Sequence, residues 1–69
     1  MFPKLVTTVY FRDSGDLQDF LGSSETTARE IRDEMIARID RGEAVIAIAD
    51  GEPRRLAKKG DSLVSGAVS

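Results

Sequence analysis

The 69-residue sequence predicts an α+β fold, with one amphipathic helix packed on a mainly antiparallel sheet of four to five strands in the order ββαβββ. Three observations carry this. A single long segment near the middle has the 3.6-residue apolar period of a helix. Short β-branched runs lie on both sides of it. Glycine-bearing turn signals separate those runs.

The first run, Lys4–Arg12, is β-branched and aromatic and reads as a strand. Alternation puts Leu5, Val9 and Phe11 on one face and Val6, Thr8 and Tyr10 on the other. Asp13-Ser14-Gly15-Asp16 is a turn cluster. From Asp16 to Gly22 two assignments stand. Leu17, Phe20 and Leu21 have helical spacing, with Gly22 as a cap, whereas a hairpin return strand would give the first strand a local partner. The strand is the expectation, because an unpaired edge is a liability.

The central helix spans Ser24–Gly42. Ala28, Ile31, Met35, Ile36 and Ile39 fill an apolar arc of about 140°. Thr27 with Glu30 fits a capping box, and Ser23 or Ser24 would serve as a plain N-cap one turn earlier. Gly42 stands where a left-handed C-terminal residue is wanted, with Arg38 and Arg41 in the last turn. Glu25–Arg29 and Glu34–Arg38 are correctly ordered i,i+4 pairs. Arg32 falls inside the apolar arc. Either its stem covers core atoms while its head reaches water, or its guanidinium is held for an ion pair or an anionic ligand.

After the helix, Ala44–Ala49 is a continuous apolar run, the pattern of a central strand. Asp50-Gly51 is the strongest hairpin signal in the chain, and Pro53 is expected to keep the return strand from starting before Arg54. Arg54–Lys58 forms that strand, Gly60-Asp61 turns the chain, and Leu63–Val68 closes the sheet. There are no repeats and no linker, so residues 1–69 are expected to form one small domain.

Composition excludes much. With no histidine and no cysteine, there is no Ser-His-Asp or Cys-His arrangement, no disulfide and no basis for a structural zinc site. No phosphate-binding or dinucleotide-binding glycine motif occurs. Asp13, Asp16 and Asp19 lack the spacing of a calcium loop, and Glu30 and Glu34 sit on an open helix face rather than in a cleft. The sequence therefore points to no enzyme, no cofactor and no metal. No apolar run approaches the ~18 residues of a membrane span, and Met1-Phe2-Pro3-Lys4 does not open a signal peptide. The expected location is cytoplasmic, in the producing cell or in an infected host.

Two surface features remain. One helix covers one face of a sheet whose strands are apolar on both, so Val6, Tyr10, Ile46, Ile48, Val64 and Val68 are expected on a helix-free face suited to association. A homodimer is the default partner state, and another protein could also dock there. The net charge of −2 also hides an asymmetry, −5 over residues 1–53 and +3 over residues 54–69. Arg54, Arg55, Lys58 and Lys59, with Arg32, are the candidates for an anion or nucleic-acid contact, although alternation lets only two of the four C-terminal cations share a face. The plainer explanation of those four is charge protection of an edge strand.

The segments Val9–Asp13, Glu30-Ile31, Gly42–Ile46, Asp50–Leu56 and Asp61–Ser65 are similar to those of small actinobacterial and actinophage proteins of ββαββ type. That resemblance implies a fold and an accessory, structural or host-interaction role, and no catalytic residues. Together these readings give a non-catalytic interaction module that self-associates through the helix-free sheet face. The alternative is a small nucleic-acid binder using the basic C-terminal hairpin.

Overall fold

The structure, a computed structural model, describes residues 5–67. The order of elements is β1 (Val6–Phe11), α1 (Ser14–Gly22), α2 (Thr26–Asp40), β2 (Ala44–Ala49), β3 (Glu52–Lys59) and β4 (Ser62–Ala67). The four strands form one mixed sheet in the order β1-β2-β3-β4, with β1 parallel to β2 and the other two pairings antiparallel. This is a small α+β fold with a mostly antiparallel sheet.

The expected strand at Asp16–Gly22 is a helix, so among the described residues the order is βααβββ, with four strands and two helices. The cause is local. Asp13 is the N-cap in extended conformation, and its Oδ1 accepts from the Asp16 N–H at 2.8 Å. Helical spacing then drives Leu17 fully into the core and brings Phe20 against Phe11, with ring centroids 5.3 Å apart. A hairpin would have placed Leu17 and Leu21 on one strand face and Phe20 on the other. Without it, β1 finds its partner across the α1–α2 connection, the kind of long crossover that parallel strands require.

α2 starts at Thr26 with Glu25 as N-cap, and Glu25 makes no side-chain capping bond. The Thr27–Glu30 capping box is therefore not formed. Ser23 Oγ instead accepts from the Glu25 N–H. The other end matches expectation. Gly42 has φ 89°, Glu43 N–H reaches Arg38 O, and Gly42 N–H reaches Ile39 O, each at 3.0 Å. This is the Schellman pattern. Its usual apolar contact is replaced by an ion pair, with Arg38 Nη1 3.6 Å from Glu43 Oε1.

β2 is central, and alternate residues Val45, Ala47 and Ala49 are fully buried. They join Leu17, Met35, Leu56 and Leu63 in one core between the helices and the sheet. The alanines keep that face shallow enough for both helices to pack on it. Asp50 and Gly51 have φ 55° and 73°, the paired positive values of a two-residue type I′ hairpin. β3 begins at Glu52, earlier than Pro53 was expected to allow. The pair next to a two-residue turn, Ala49–Glu52, is the hydrogen-bonded kind, so Ile48–Pro53 is not, and Pro53 withholds no bond from β2.

Candidate interaction surface

The register sorts every strand residue onto one of two faces. Thr7, Val9 and Phe11 align with Val45, Ala47 and Ala49 and face the helices, so Val6, Thr8 and Tyr10 face away with Ala44, Ile46 and Ile48. On β3, Leu56 is buried against the helices and takes Arg54 and Lys58 with it, leaving Pro53, Arg55, Ala57 and Lys59 on the helix-free side. Val64 aligns with Ala57 there. Val68 lies outside the described residues.

The helix-free face is largely apolar and open. Tyr10 is 75% exposed, Val6 56% and Val64 36%, while Ile46 and Ile48 are half-buried between neighbouring strands. Tyr10, Ile48 and Pro53 form an apolar row across β1, β2 and β3. Among the described residues, no carboxylate stands on this face, whose only charges are Arg55 and Lys59.

The four C-terminal cations therefore split into pairs. Arg54 lies 3.9 Å from Glu52, and Lys58 Nζ lies 3.3 Å from Asp40 at the end of α2. Among the described residues neither Arg55 nor Lys59 has an ion-pair partner. The structure does not bring the four together, nor does it place Arg32 beside them.

Arg32 takes a use outside the two expected ones. Its Nη1 donates to Phe20 O, its Nη2 donates to Ser23 O at 2.7 Å, and its guanidinium carbon lies 5.8 Å from the Phe20 ring centroid. A side chain of α2 thus satisfies the carbonyl end of α1, where unpaired oxygens and the negative end of the helix dipole favour a cation. The groove beside it, about 310 Å³, mixes Arg29 and Arg32 with Asp33 and Asp61, a balanced lining with no excess of positive charge for an anion.

A second groove, about 330 Å³ and mainly apolar, runs between β1 and α2 and is lined by Val9, Ile31 and Met35, with Glu30, Glu34 and Arg38 along its helix side. It opens beside the free edge of β1. The sequence signal for it was present in Ile31, which is 44% exposed at the margin of the apolar arc.

Among the described residues there is no cluster of three or more potential metal-ligating side chains, and no helix is long and apolar enough to cross a membrane. Asp13 is engaged in capping α1, and Asp16 pairs with Arg12 at 3.2 Å. No protein-family model, curated protein or solved structure matches the chain.

Proposed function

We propose that the chain is a non-catalytic protein-interaction module that self-associates through the helix-free face of its sheet and engages another protein. The carrying observation is that Val6, Tyr10 and Val64 stand exposed beside Ile46 and Ile48 on a face that neither helix covers. Apolar patches of this kind on small domains mark interaction sites more often than scattered surface residues do. A location in the cytoplasm of a producing or infected cell, and a phage-type accessory or host-interaction role, rest on the sequence reading and its resemblance alone. Sedimentation equilibrium at micromolar concentration tests self-association, and a species of only 7.5 kDa overturns it. Capture of a partner from host lysate should be lost on Ile46→Lys, which puts a charge at the centre of the patch.

The second reading, a nucleic-acid binder, is favoured by one observation: Arg55, Lys59 and Tyr10 share a face that carries no carboxylate among the described residues. Two cations and one stacking platform predict weak binding that falls with salt. No binding to single-stranded DNA or RNA at low salt removes this reading.

A further inference from the structure

We infer that the groove beside Arg32 is a site for a small zwitterion with an apolar body, the chemistry of a free apolar α-amino acid. It lies where the end of α1, the middle of α2 and the β3–β4 turn meet. Its volume of about 310 Å³ is at the small end of the range of about 300–1,000 Å³ usual for small-molecule pockets. This groove opens on the helix side of the sheet, away from the face of Val6, Tyr10 and Ile46, so it is independent of self-association.

Its floor is apolar, made by Leu21 and Ile36, both half-buried, and by the buried Leu63. Around that floor stand three charges, Arg29, Asp33 and Asp61. Elsewhere on the helices Glu34, Glu43 and Asp40 each hold a cation. Among the described residues, Arg29, Asp33 and Asp61 are in no ion pair, although they line one groove. Arg29 and Asp33 are one helical turn apart with the cation first, the less favoured order for an i,i+4 pair. Asp61 comes from across the groove. Gly60, with φ 62°, takes the first place of a two-residue turn closed by the Lys59–Ser62 pair, and this sets Asp61 at the groove.

Arg32 does not fill the gap. Both of its Nη atoms donate to carbonyls at the end of α1, so it serves as a fixed wall, and Arg29 is the guanidinium left with an open fork. A simple anion at this site meets Asp33 and Asp61, and a simple cation meets Arg29 and Arg32. A ligand carrying both charges and no net charge escapes both penalties. Its carboxylate takes the planar fork of Arg29, its ammonium donates to Asp61 and Asp33, and its side chain covers Leu21, Ile36 and Leu63. Because the three charged groups are exposed, each contact contributes modestly and the dissociation constant is on the order of 1 mM.

The test is a titration of the full chain with L-leucine, followed by the backbone amide resonances in nuclear magnetic resonance. Signals of Leu21, Asp33 and Leu63 should shift saturably. Glycine lacks the apolar body, L-leucinamide the carboxylate and N-acetyl-L-leucine the ammonium, so each should bind at least about fivefold more weakly. Arg29→Met and Asp61→Asn, both exposed and outside the core, should each weaken L-leucine by about fivefold while circular dichroism stays that of the wild type. No saturable shift with L-leucine overturns the site. L-leucinamide binding as well as L-leucine overturns it in favour of a seat for a chain's amino terminus, and N-acetyl-L-leucine doing so overturns it in favour of a carboxyl terminus. Shifts unchanged in both variants overturn the placement of the two charges. Sedimentation of the wild type bears on self-association alone, so either proposal can fail without the other.

Discussion

The Arg32 guanidinium of α2 donates to the Phe20 carbonyl of α1 and lies over the ring of the same residue, with Ser23 O as its second acceptor. One side chain thus closes the C-terminal end of a neighbouring helix and fixes the angle between the two. Arg32→Met keeps the stem and removes the fork. It should cost about 2 kcal/mol, because the lost bonds are charge-assisted and part-buried. For a domain of this size that lowers the thermal midpoint by roughly 8–16 °C. Arg32→Lys should recover less than half of the loss, since an ammonium cannot bridge both carbonyls in the same planar geometry. A melting curve for Arg32→Met that overlays wild type would refute the capping role.

Leu17 anchors α1. Among the described residues it is fully buried in a core of seven, two of which are alanines. Leu17→Ala should cost about 2–5 kcal/mol. A chain of 69 residues has a total stability of about 3–10 kcal/mol, so this variant should lose a large share of it and unfold at a clearly lower urea concentration. Retention of a wild-type urea midpoint would mean that α1 is not packed as described.

Gly42 and Gly22 both end helices and should respond oppositely to alanine. At neither would the added Cβ meet an atom within 4 Å, so only the backbone decides. Gly42 has φ 89°, and Gly42→Ala should destabilise by about 1 kcal/mol. Gly22 is the last residue of α1 without a positive φ, and Gly22→Ala should stabilise by about 0.5 kcal/mol. Chemical denaturation of the two variants side by side gives the sign directly.

The start of α2 is under-capped, since Glu25 supplies no side-chain bond at the N-cap. Glu25→Ser should add about 0.5–1 kcal/mol by bonding a free N–H of the first turn. An unchanged or lower melting temperature would show that the Ser23 hydroxyl bonded to the Glu25 N–H already does that work.

Charge reversal separates the two cation pairs. If the helix-free face binds a polyanion, Arg55→Glu with Lys59→Glu should abolish binding in fluorescence anisotropy, while Lys58→Glu, on the helix side beside Asp40, should change it little. Equal losses from both would remove the assignment of binding to one face.

Much of this fold is legible in the amino-acid sequence. Met35, Ile36 and Ile39 share one helical face, Gly42 stops the helix, and Asp50-Gly51 sets the hairpin, because each is a local signal that tertiary packing reinforces. The split of Arg54 and Lys58 from Arg55 and Lys59 follows from strand alternation alone. α1 was not legible in the same way. Leu17, Phe20 and Leu21 fit a strand or a helix, and what settles the matter is Asp13 binding the Asp16 N–H three residues on, a capping signal that can be mistaken for a turn. The assumption that β1 needed a local partner also failed, because its partner is β2 on the far side of two helices. The use of Arg32 was hidden for a related reason. Its acceptors belong to a helix whose existence the local sequence leaves undecided.

The parallel pairing of β1 with β2 has a consequence during synthesis. Val6 aligns with Ala44, so the first strand leaves the ribosome 38 residues ahead of the strand that will hold it. At ordinary elongation rates that interval lasts about 2–8 s, far longer than a small domain needs to collapse. Throughout it the apolar, uncharged β1 has no native sheet to join. α1 and α2 are made in the meantime, whereas β2, β3 and β4 follow one another through two-residue turns and assemble as soon as they emerge. β1 is therefore the strand that waits longest for its partner, and α1 and α2 are the only elements available to cover its apolar face until Ala44–Ala49 emerges.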